Sequence, residues 1–570
     1  MAFLHGVETQ ESNVSGTPIT VVRSAVVGLV GAAPIFMQPG IQAPWNPQGK
    51  YAVGAQVLDS NMNVQQCTVA GVTGAAPPAW ATSVNGVTAG DGSVSWKLVQ
   101  LATNAPTGVG SLNQAVVVNS SSDAGNFGAP VQGYLFSYAL QFIQEQGGGQ
   151  IVAVNVLNPS VHFSSVAAQQ IQLPAAGTQV YNLGQMGVFD FVVTNQGATV
   201  TYTYGSDYVI DWVNGVLTVP AGSTIAAGEI LLASYSWCDP TKVTAAQVVG
   251  TAAASVYTGA QCFYTTYQQY GFFPKILVAP GYTQTQSVSQ ALDAISAKIR
   301  AMCCIDSAPS TSVSTALTNR SSVGSSFFTS SFRDILCFPQ QQVSDIGIVP
   351  TGVTLSPAGV PIQATGTGTV VLPLSIFEAA AMQARDINQG YWWSPSNQQI
   401  DTSGPDVPMY VSFVDPNSDA NQLNAAGICT VLSGNGTGMR TWGNRSAAFP
   451  TYTIPQNFIS IRRTLDMIEE SVQLASLQFQ DAPITNGLIA VVLKSVNNLI
   501  RTLVKRGALV PGSAATYNPG DNPATQLAAG KIVFRFNLMP PPPAEDIEYN
   551  YTVDTSLLAN LGVPQTTTAT

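Results

Sequence analysis

Residues 275–305 read KILVAPGYTQTQSVSQALDAISAKIRAMCCI, and this stretch decides the fold class. Its first five residues form a short apolar run that is typical of a buried strand. The segment from Ser287 to Met302 has the apolar spacing of a helix, and Cys303 to Ile305 predicts a second buried strand. A strand, a helix and a strand joined by short loops favour parallel pairing, so the chain is predicted to contain an α/β sheet.

The same alternation continues on both sides of this stretch. Downstream, the pattern predicts a strand over 334–338 and helices over 310–320 and 375–388. Upstream, near-continuous apolar residues over 19–30 predict a buried strand. A helix over 131–146, which three glycines end, is followed by one more predicted strand.

Two segments have a different texture, with short strands and many turns. Residues 43–101 contain Trp45, Trp80 and Trp96 among turn sequences, and residues 160–237 contain a strong hairpin signal at Asn214-Gly215. The three tryptophans allow two interpretations. They are either exposed rings that stack on sugars or the core of a small β module.

The last quarter of the chain carries the clearest helical patterns. Between residues 458 and 479, apolar residues recur at steps of four and three, which predicts one amphipathic helix. A second helix is predicted from about 485 to 506, with Gly507 at its C-cap. The other face of this second helix carries several cations at helical spacing.

Alternating sequences follow the second helix. Residues 531–538 (KIVFRFNL) alternate strictly between apolar and polar, as expected for a strand. The prolines at 540–543 make a stiff extended spacer, and residues 547–553 (IEYNYTV) alternate again.

The chain contains few charged residues for its length. Of 570 residues, 9% are Asp, Glu, Lys or Arg, where an ordinary soluble protein has about 25%. The net charge of −10 argues against general binding to nucleic acid or to an anionic membrane. The longest apolar run, Ala25 to Met37, is interrupted by glycine and proline and falls short of the about 20 residues that span a bilayer. So few charges protect a monomer only weakly against self-association, which indicates a surface that contacts copies of itself.

Catalytic motifs are missing from the sequence. Its two histidines, His5 and His162, lie outside the α/β segment where a Ser-His-Asp site would need its base. The sequence contains neither a GxSxG elbow nor a GxxxxGK[ST] phosphate loop, and the glycines of residues 433–446 do not follow a dinucleotide fingerprint. No cluster has metal-ligand spacing. The sequence therefore predicts a protein that is not an enzyme and that holds no cofactor or metal.

Four motifs, in this order along the chain, resemble those of contractile phage tail sheath proteins. They are FLHGVETQESNVSGTPITVVRSAVVGLVGAAP (3–34), MRTWGNRS (439–446), FISIRRTLDMIEESVQLASLQFQDAPITNGL (458–488) and GKIVFRFNLMPPPPAEDIEYNY (530–551). In that family they are the opening arm and strand, a tryptophan-glycine loop, the arginine-pair helix with its turn, and the closing strand with its Pro-Ala-Glu arm. The resemblance covers residues 1–42 and 102–570.

The resemblance implies an α/β and α+β multidomain fold. This fold is a tail-sheath core with a subtilisin-like α/β domain, so named for its shape, with inserted β modules and with extended N- and C-terminal strand arms. The implied segments are an N-terminal linking arm (1–18), an N-terminal part of the core (19–42 plus 102–159), an inserted small β module on the outer surface (43–101), an inserted β domain (160–237), the subtilisin-like domain (238–415), a C-terminal sheath core facing the tube (416–543) and a C-terminal linking arm (544–570).

The function implied by the resemblance is structural. Such a subunit is assembled in the cytoplasm of the bacterial host, polymerises in the virion as a six-start helix around the tail tube, and contracts to drive the tube through the host envelope during genome delivery. Its implied partners are neighbouring sheath subunits, joined by strand exchange, the tail tube protein, and the baseplate and tail terminator proteins, without nucleic acid or membrane insertion. The alternatives are a phage-derived bacteriocin or secretion-system sheath and, in a different class, a glycan-binding or hydrolytic tail protein.

The resemblance also points to particular residues. Strand exchange assigns the arm strands Phe3, His5, Val7 and Thr9 at one end, and Ile547, Tyr549, Tyr551 and Val553 at the other. The arm hinge is assigned to Pro540, Pro541, Pro542 and Pro543. Residues 485–540 hold six cations and one acid, a net charge of +5, and the predicted tube-facing residues are Lys494, Arg501 and Lys505.

Overall fold

The computed structural model describes residues 19, 21–101, 112–356, 360–434 and 436–561. Within these ranges the chain is a mixed α/β protein with several sheets, as the sequence predicted. The predicted arm residues Phe3, His5, Val7 and Thr9 lie outside the described residues.

The α-helices of the described chain are numbered in chain order. They are α1 (Ser121–Gly125), α2 (Leu135–Gly147), α3 (Ala245–Val249), α4 (Thr266–Tyr270), α5 (Gln286–Ile299), α6 (Val313–Asn319), α7 (Leu374–Asn388), α8 (Asp419–Ala425), α9 (Ile459–Ser476), α10 (Asn486–Lys505) and α11 (Ala524–Ala528).

The strands are short and numerous. They are β1 (Val26–Gly31), β2 (Lys50–Tyr51), β3 (Gln56–Leu58), β4 (Val64–Val69), β5 (Gly71–Val72), β6 (Val87–Asp91), β7 (Val94–Gln100), β8 (Ala115–Val118), β9 (Gln150–Asn155), β10 (Phe163–Gln172), β11 (Val180–Asn182), β12 (Val188–Asn195), β13 (Thr201–Tyr202), β14 (Val209–Asp211), β15 (Val216–Thr218), β16 (Ile230–Cys238), β17 (Ala252–Ala253), β18 (Val256–Tyr257), β19 (Ile276–Val278), β20 (Met302–Asp306), β21 (Asp334–Cys337), β22 (Gln341–Ser344), β23 (Thr354–Leu355), β24 (Pro361–Ile362), β25 (Thr369–Leu372), β26 (Gln399–Ile400), β27 (Gly404–Pro405), β28 (Ile428–Gly434), β29 (Gly438–Trp442), β30 (Ala514–Thr516) and β31 (Arg535–Asn537).

A nine-stranded sheet forms the centre of the molecule, in the order β26-β29-β28-β21-β20-β19-β1-β9-β8. The strands from β28 to β9 are parallel to one another, and the outer strands are antiparallel. The stretch 275–305 supplies β19, α5 and β20, so the predicted strand-helix-strand unit is confirmed. Because the sheet takes strands from 19–42, 102–159, 238–415 and 416–543, it crosses the segment bounds drawn at 238 and 416.

Helices cover both faces of this sheet. On one face α2 and α7 pack together, with the rings of Phe142 and Phe377 5.5 Å apart. On the other face lie α5 and a 3-10 helix at Gly259–Thr265. Gly28 permits that second layer to approach closely, since a Cβ there would lie 2.8 Å from the Leu277 side chain and 3.1 Å from Phe263.

The segment 43–101 is a small β module with an aromatic core. Strands β3, β4, β7 and β6 form its main sheet. Trp45 and Trp96 are buried, and both indole N–H groups donate to the Asp91 carboxylate, at 2.8 and 2.6 Å. The half-buried Trp80 lies edge-on to both rings, at 6.5 and 6.1 Å. The core interpretation of the tryptophans is therefore confirmed, and exposed stacking platforms are not what the module presents.

The segment 160–237 docks against that module. Its strands form the sheets β10-β16-β12-β13 and β11-β15-β14, and the predicted hairpin at Asn214-Gly215 joins β14 to β15. The Asn46 amide joins the two segments. It donates to the Phe191 carbonyl at 2.9 Å and accepts from the Phe191 N–H at 2.7 Å.

Helices α9 and α10 form a second core with the two-stranded sheet β30-β31. Apolar side chains of α10 face this core: Val496 and Leu503 are buried, and Leu488 is half-buried. Thr485 caps this helix by accepting from the Leu488 N–H at 3.1 Å, and Gly507 follows its end with a φ of +78°. Both features are favourable helix ends.

Two predicted strands are shorter than the sequence indicated. The first covers residues 26–31, because Ile19, Val21 and Val22 pack on the second core, where the Val22 N–H donates to Ser471. In the stretch 531–538 only Arg535–Asn537 pairs, since its partner β30 has three residues. The alternating residues 547–553 form no strand in the isolated chain.

One helix among those described, α10, is long and apolar enough to cross a membrane by length and composition alone. The sequence expectation considered only uninterrupted apolar runs and missed this helix, since Lys494 and Arg501 break the run. A single helix of this kind is weak evidence, because the core helix of a soluble protein meets the same criterion.

Candidate assembly surfaces

The C-terminal arm presents apolar side chains to solvent. Ile547, Tyr549, Tyr551 and Val553 are 63%, 71%, 89% and 90% exposed. Successive side chains of an extended chain point to opposite sides, so these four would share one side of a strand. Large apolar side chains at this exposure make the arm a candidate interaction surface.

The four prolines lie between this arm and the second core. Pro540 is buried, Pro541 and Pro543 are half-buried, and Pro542 is exposed. Two residues after the last of them, the Glu545 carboxylate pairs with the Arg445 guanidinium, whose Nε lies 2.8 Å from Oε1. The proline segment therefore runs along the core and does not project from it.

An apolar groove lies beside the two-stranded sheet β30-β31. Its volume is about 460 Å³, and most of its walls are aliphatic or aromatic side chains. The lining includes Val472, Phe479, Leu488, Val492, Val496, Ile532, Phe534 and Phe536. The strict alternation of KIVFRFNL is explained here, since its apolar side chains face the groove even where the backbone is unpaired.

The cations of α10 lie together on its exposed side. Lys494, Arg501 and Lys505 are all exposed, and the Arg501 guanidinium donates to Asn498 on the same helix. The one acid between residues 485 and 540, Asp521, pairs with Arg535. The structure thus brings the three predicted tube-facing residues together on one helix face.

Helix α9 carries most of the ion pairs. Of the eight ion pairs within the described ranges, six involve this helix. The Arg463 guanidinium binds the Asp386 carboxylate through two bonds, at 2.7 and 2.5 Å, and both side chains are buried. The Lys275 ammonium is also buried and binds Glu470 and, at 2.7 Å, the Ile299 carbonyl. Burial lowers the pKa of Lys275, and Glu470 opposes that shift.

The partners of α9 share one position in the fold. Lys275, Arg300 and Arg333 each lie just before a parallel strand of the central sheet, and Asp386 lies in the last turn of α7. Helix α9 therefore crosses the edge of the sheet at which the strands begin. Sequence reasoning missed this arrangement, although the four-residue spacing of Arg462 and Asp466 in α9 is a recognisable pairing signal.

The opposite edge of the sheet, where the parallel strands end, is the place at which α/β enzymes bind their ligands. Few of the described residues there could take part in catalysis. Asp306, at the end of β20, is buried and accepts from the Ser375 N–H and Oγ, at 2.8 and 2.6 Å, and from Thr283. Burial raises its pKa to about 6. His162 is buried in front of β10, and no group of three or more metal-binding side chains occurs among the residues that the structure covers.

The chain is similar in sequence to tail sheath proteins of several phages. No family model matches the chain. The tail sheath protein of Burkholderia phage BcepMu is 34% identical over 569 residues, which cover 98% of each chain. The tail sheath protein of Escherichia phage P2 is 24% identical over 321 residues, covering 56% of this chain and 73% of the P2 protein.

A solved structure has the same fold over almost the full length. The helical sheath of the anti-feeding prophage, determined in its contracted state, aligns with a TM-score of 0.51 and 14% identity, covering 97% of this chain and 100% of the other. The extent of the BcepMu match and this shared fold lead to one conclusion. The chain belongs to the family of phage tail sheath proteins.

Proposed function

We propose that the chain is the subunit of a contractile phage tail sheath. It polymerises as a six-start helix around the tail tube, between the baseplate and the tail terminator, and its contraction drives the tube through the host envelope during genome delivery. The observation that carries this proposal is the 34% identity to a tail sheath protein over 98% of both chains. The subunit is made in the host cytoplasm and resides in the virion tail.

Subunits are linked by strand exchange in this proposal. Residues 547–553 add a strand to a neighbouring copy, with Ile547, Tyr549, Tyr551 and Val553 on the side that faces its core. Main-chain hydrogen bonds supply this kind of linkage without special side chains. The exposure of all four side chains, from 63% to 90%, supports the proposal. The N-terminal residues Phe3, His5, Val7 and Thr9 are proposed to pair in the same way.

The acceptor for the C-terminal arm is the sheet β30-β31 of another copy. This sheet has only two strands. The Asn497 amide donates to the Ala515 carbonyl and accepts from the Ala515 N–H, both at 2.9 Å, so it occupies the outer edge of β30 and leaves the outer edge of β31 for a third strand. The apolar groove beside it matches the alternating apolar side chains of the arm. A second copy of residues 547–553 thus supplies both the backbone partner and the side chains that the groove lacks.

The tube contact is assigned to the exposed face of α10. Lys494, Arg501 and Lys505 give this face a positive charge in a chain whose net charge is −10. Opposite charges across an interface set its register and speed encounter. We infer that acidic residues of the tail tube protein meet this face.

Contraction in this proposal needs no nucleotide. The core moves as a rigid body, while the arms stay paired with their neighbours and the prolines at 540–543 act as their hinge. The nine-stranded sheet with its two helix layers is proposed as the subtilisin-like domain of the family, extended by β1, β8, β9, β28 and β29 beyond residues 238–415. The ion pairs along α9 support such a rigid core, since they join the second core to the central sheet.

Electron microscopy of the purified protein tests this function. We expect the full chain to form long, hollow, striated tubes in negative stain. Deletion of residues 545–570 removes the arm strand and should leave soluble monomers, whereas truncation after Leu561 keeps residues 547–553 and should preserve the tubes. Absence of tubes from the full chain contradicts the proposed function, and tubes from the 545–570 deletion contradict strand exchange through this arm.

A further inference from the structure

The C-terminal arm makes its last ion pair with the core at Glu545. Arg445 binds this carboxylate with two nitrogens, Nε at 2.8 Å from Oε1 and Nη2 on Oε2. Every residue from 546 to 559 is exposed. Ile547 still lines the cleft beside Arg445, so the chain leaves the core just after this pair.

Arg445 is itself held firmly. Its guanidinium lies 4.2 Å from the ring centre of Phe449 and 4.4 Å from that of Phe458, and Nη1 donates to the Asn457 amide oxygen at 3.2 Å. A guanidinium fixed between two aromatic faces is oriented before the carboxylate arrives. The side chain of Arg445 is 20% exposed, whereas that of Glu545 is 41% exposed. Arg445 in the core is thus the rigid partner of the pair, and Glu545 in the arm is the partner that can be released.

The pair lies between the prolines and the arm strand. Pro543 and Ala544 line the same cleft as Arg445, beside Trp442. While Glu545 is bound, the proline segment is fixed at both ends and the chain can pivot only beyond Ile547, which lines the same cleft. When Glu545 is released, the pivot moves back to Pro540, which is buried.

We propose that the Arg445–Glu545 ion pair is a latch on the proline hinge, which sets how far the C-terminal arm reaches to a neighbouring subunit. The latch deepens the proposed function and rests on it, because a neighbour must receive the arm. Opening it frees residues 541–545, and five residues of proline-rich chain extend by about 15 Å. Subunit cores can then move apart while the arm stays paired. Partial exposure of Glu545 lets water compete for its carboxylate, so the latch opens without unfolding the core.

Spin-label distances in the full-length protein test the latch. Nitroxides are placed on Ser433→Cys, an exposed residue of β28, and on Asp546→Cys, and the labelled protein is diluted with unlabelled protein to remove signals between subunits. The seven native cysteines are buried and do not compete for the label. We expect a narrow distance distribution in the parent protein. Glu545→Gln, which removes the charge at constant shape, should broaden it and extend it by up to about 15 Å.

A matched control and a second readout separate this inference from the function on which it rests. Glu548→Gln removes a neighbouring exposed carboxylate that has no ion pair in the described chain, and it should leave the distribution unchanged. A longer tether lowers the effective concentration of the arm, so Glu545→Gln should raise the critical concentration for tube formation by about threefold to tenfold. Equal distributions in the parent and in Glu545→Gln overturn the latch. Broadening in a protein that never forms tubes leaves the latch standing and overturns the sheath function.

Discussion

Glu378 is a buried carboxyl group without a hydrogen-bond partner. It lies on α7 with no exposed surface, and neither of its oxygens is bonded within the described part of the chain. Burial raises its pKa to about 8, above the ordinary range of a glutamate. Asp306 is equally buried, but its bonds from Ser375 and Thr283 oppose the effect of burial, and its pKa rises only to about 6. Hydrogen bonds to the charged form thus distinguish two carboxyl groups in the same core.

Glu378 makes stability depend on pH. A raised pKa in the folded state means that the folded protein holds this proton more tightly than the unfolded chain. Its contribution to stability is complete below the ordinary glutamate pKa and is lost as pH rises toward about 8. We expect Glu378→Gln to remove this decline, so that at pH 8 its free energy of unfolding exceeds that of the parent by on the order of 2–4 kcal/mol.

Thermal unfolding between pH 5 and 8 measures this difference. Glu145→Gln, at an exposed position on α2, serves as the control and should follow the parent at each pH. Parallel pH profiles for the parent and Glu378→Gln would show that Glu378 stays charged in the folded protein.

At the scale of elements, α9 is the joint between the two cores. One side contacts α10 through Met467 and Ile468, and its polar residues pair with Lys275, Arg333 and Asp386 around the central sheet. Buried pairs need not add net stability, but breaking one strands an uncompensated charge. The joint therefore resists separation of the two cores.

The Arg463–Asp386 pair tests this joint. Asp386→Ala leaves a buried guanidinium unpaired, and we expect it to cost about 3–5 kcal/mol in the unfolding transition that includes α9. Arg463→Met combined with Asp386→Leu should recover much of that loss, because no charge is then stranded. Asp521→Ala is the control, since its partner Arg535 is 63% exposed and the pair is worth about 1 kcal/mol or less. A loss from Asp386→Ala no larger than that of the control would show that the pair is solvated.

The helices of this joint were predictable and their pairing was not. Steps of three and four in the apolar residues locate α9 and α10 within a few residues, because helical periodicity is local.

The Arg445–Glu545 pair was not predictable either. Both residues belong to motifs that carry the family resemblance, yet they lie 100 residues apart. A single sequence contains no signal that joins such residues, because the fold alone determines their distance.

Over the whole molecule, charge is unevenly placed. Among 50 charged residues, those of α9 are mostly internal partners, whereas the cations of α10 face solvent. Polar but uncharged surfaces can change contacts without leaving a buried charge unpaired. This property suits a subunit that packs against its neighbours in two different arrangements. The cationic face of α10 is then the part of the molecule with electrostatic specificity.

Reversal of this face should separate two kinds of assembly. Lys494→Glu, Arg501→Glu and Lys505→Glu together are expected to abolish sheath formation on tail tubes, because like charges then face the tube. Tubes of sheath alone should still form, since strand exchange does not involve these residues. Electron microscopy with and without purified tail tubes measures both.

The control variant has the same change in net charge, but its three substitutions lie outside α10. Lys50→Glu, Lys242→Glu and Lys298→Glu replace three exposed cations outside α10 and should leave assembly on tubes intact. Normal sheaths on tubes from the α10 variant would place the tube contact on another face.

The order of the central sheet escaped prediction for a related reason. Short apolar runs predicted five of its nine strands, β1, β9, β19, β20 and β21, but not that β1 lies between β9 and β19, which are far away in the chain. Apolar runs carry no information about their neighbours, so the pairing of strands from distant segments was not predictable from the sequence. The β modules were easier to recognise as separate segments of the sequence, because their strands pair within one segment.

The position of β1 has a consequence for synthesis. This strand leaves the ribosome early, yet its two neighbours end at residues 155 and 278, and the sheet is complete only after Trp442. The central domain therefore finishes folding late in translation. Residues 547–553 are made later still, so each newly synthesised subunit can fold its core before its arm is available to another chain.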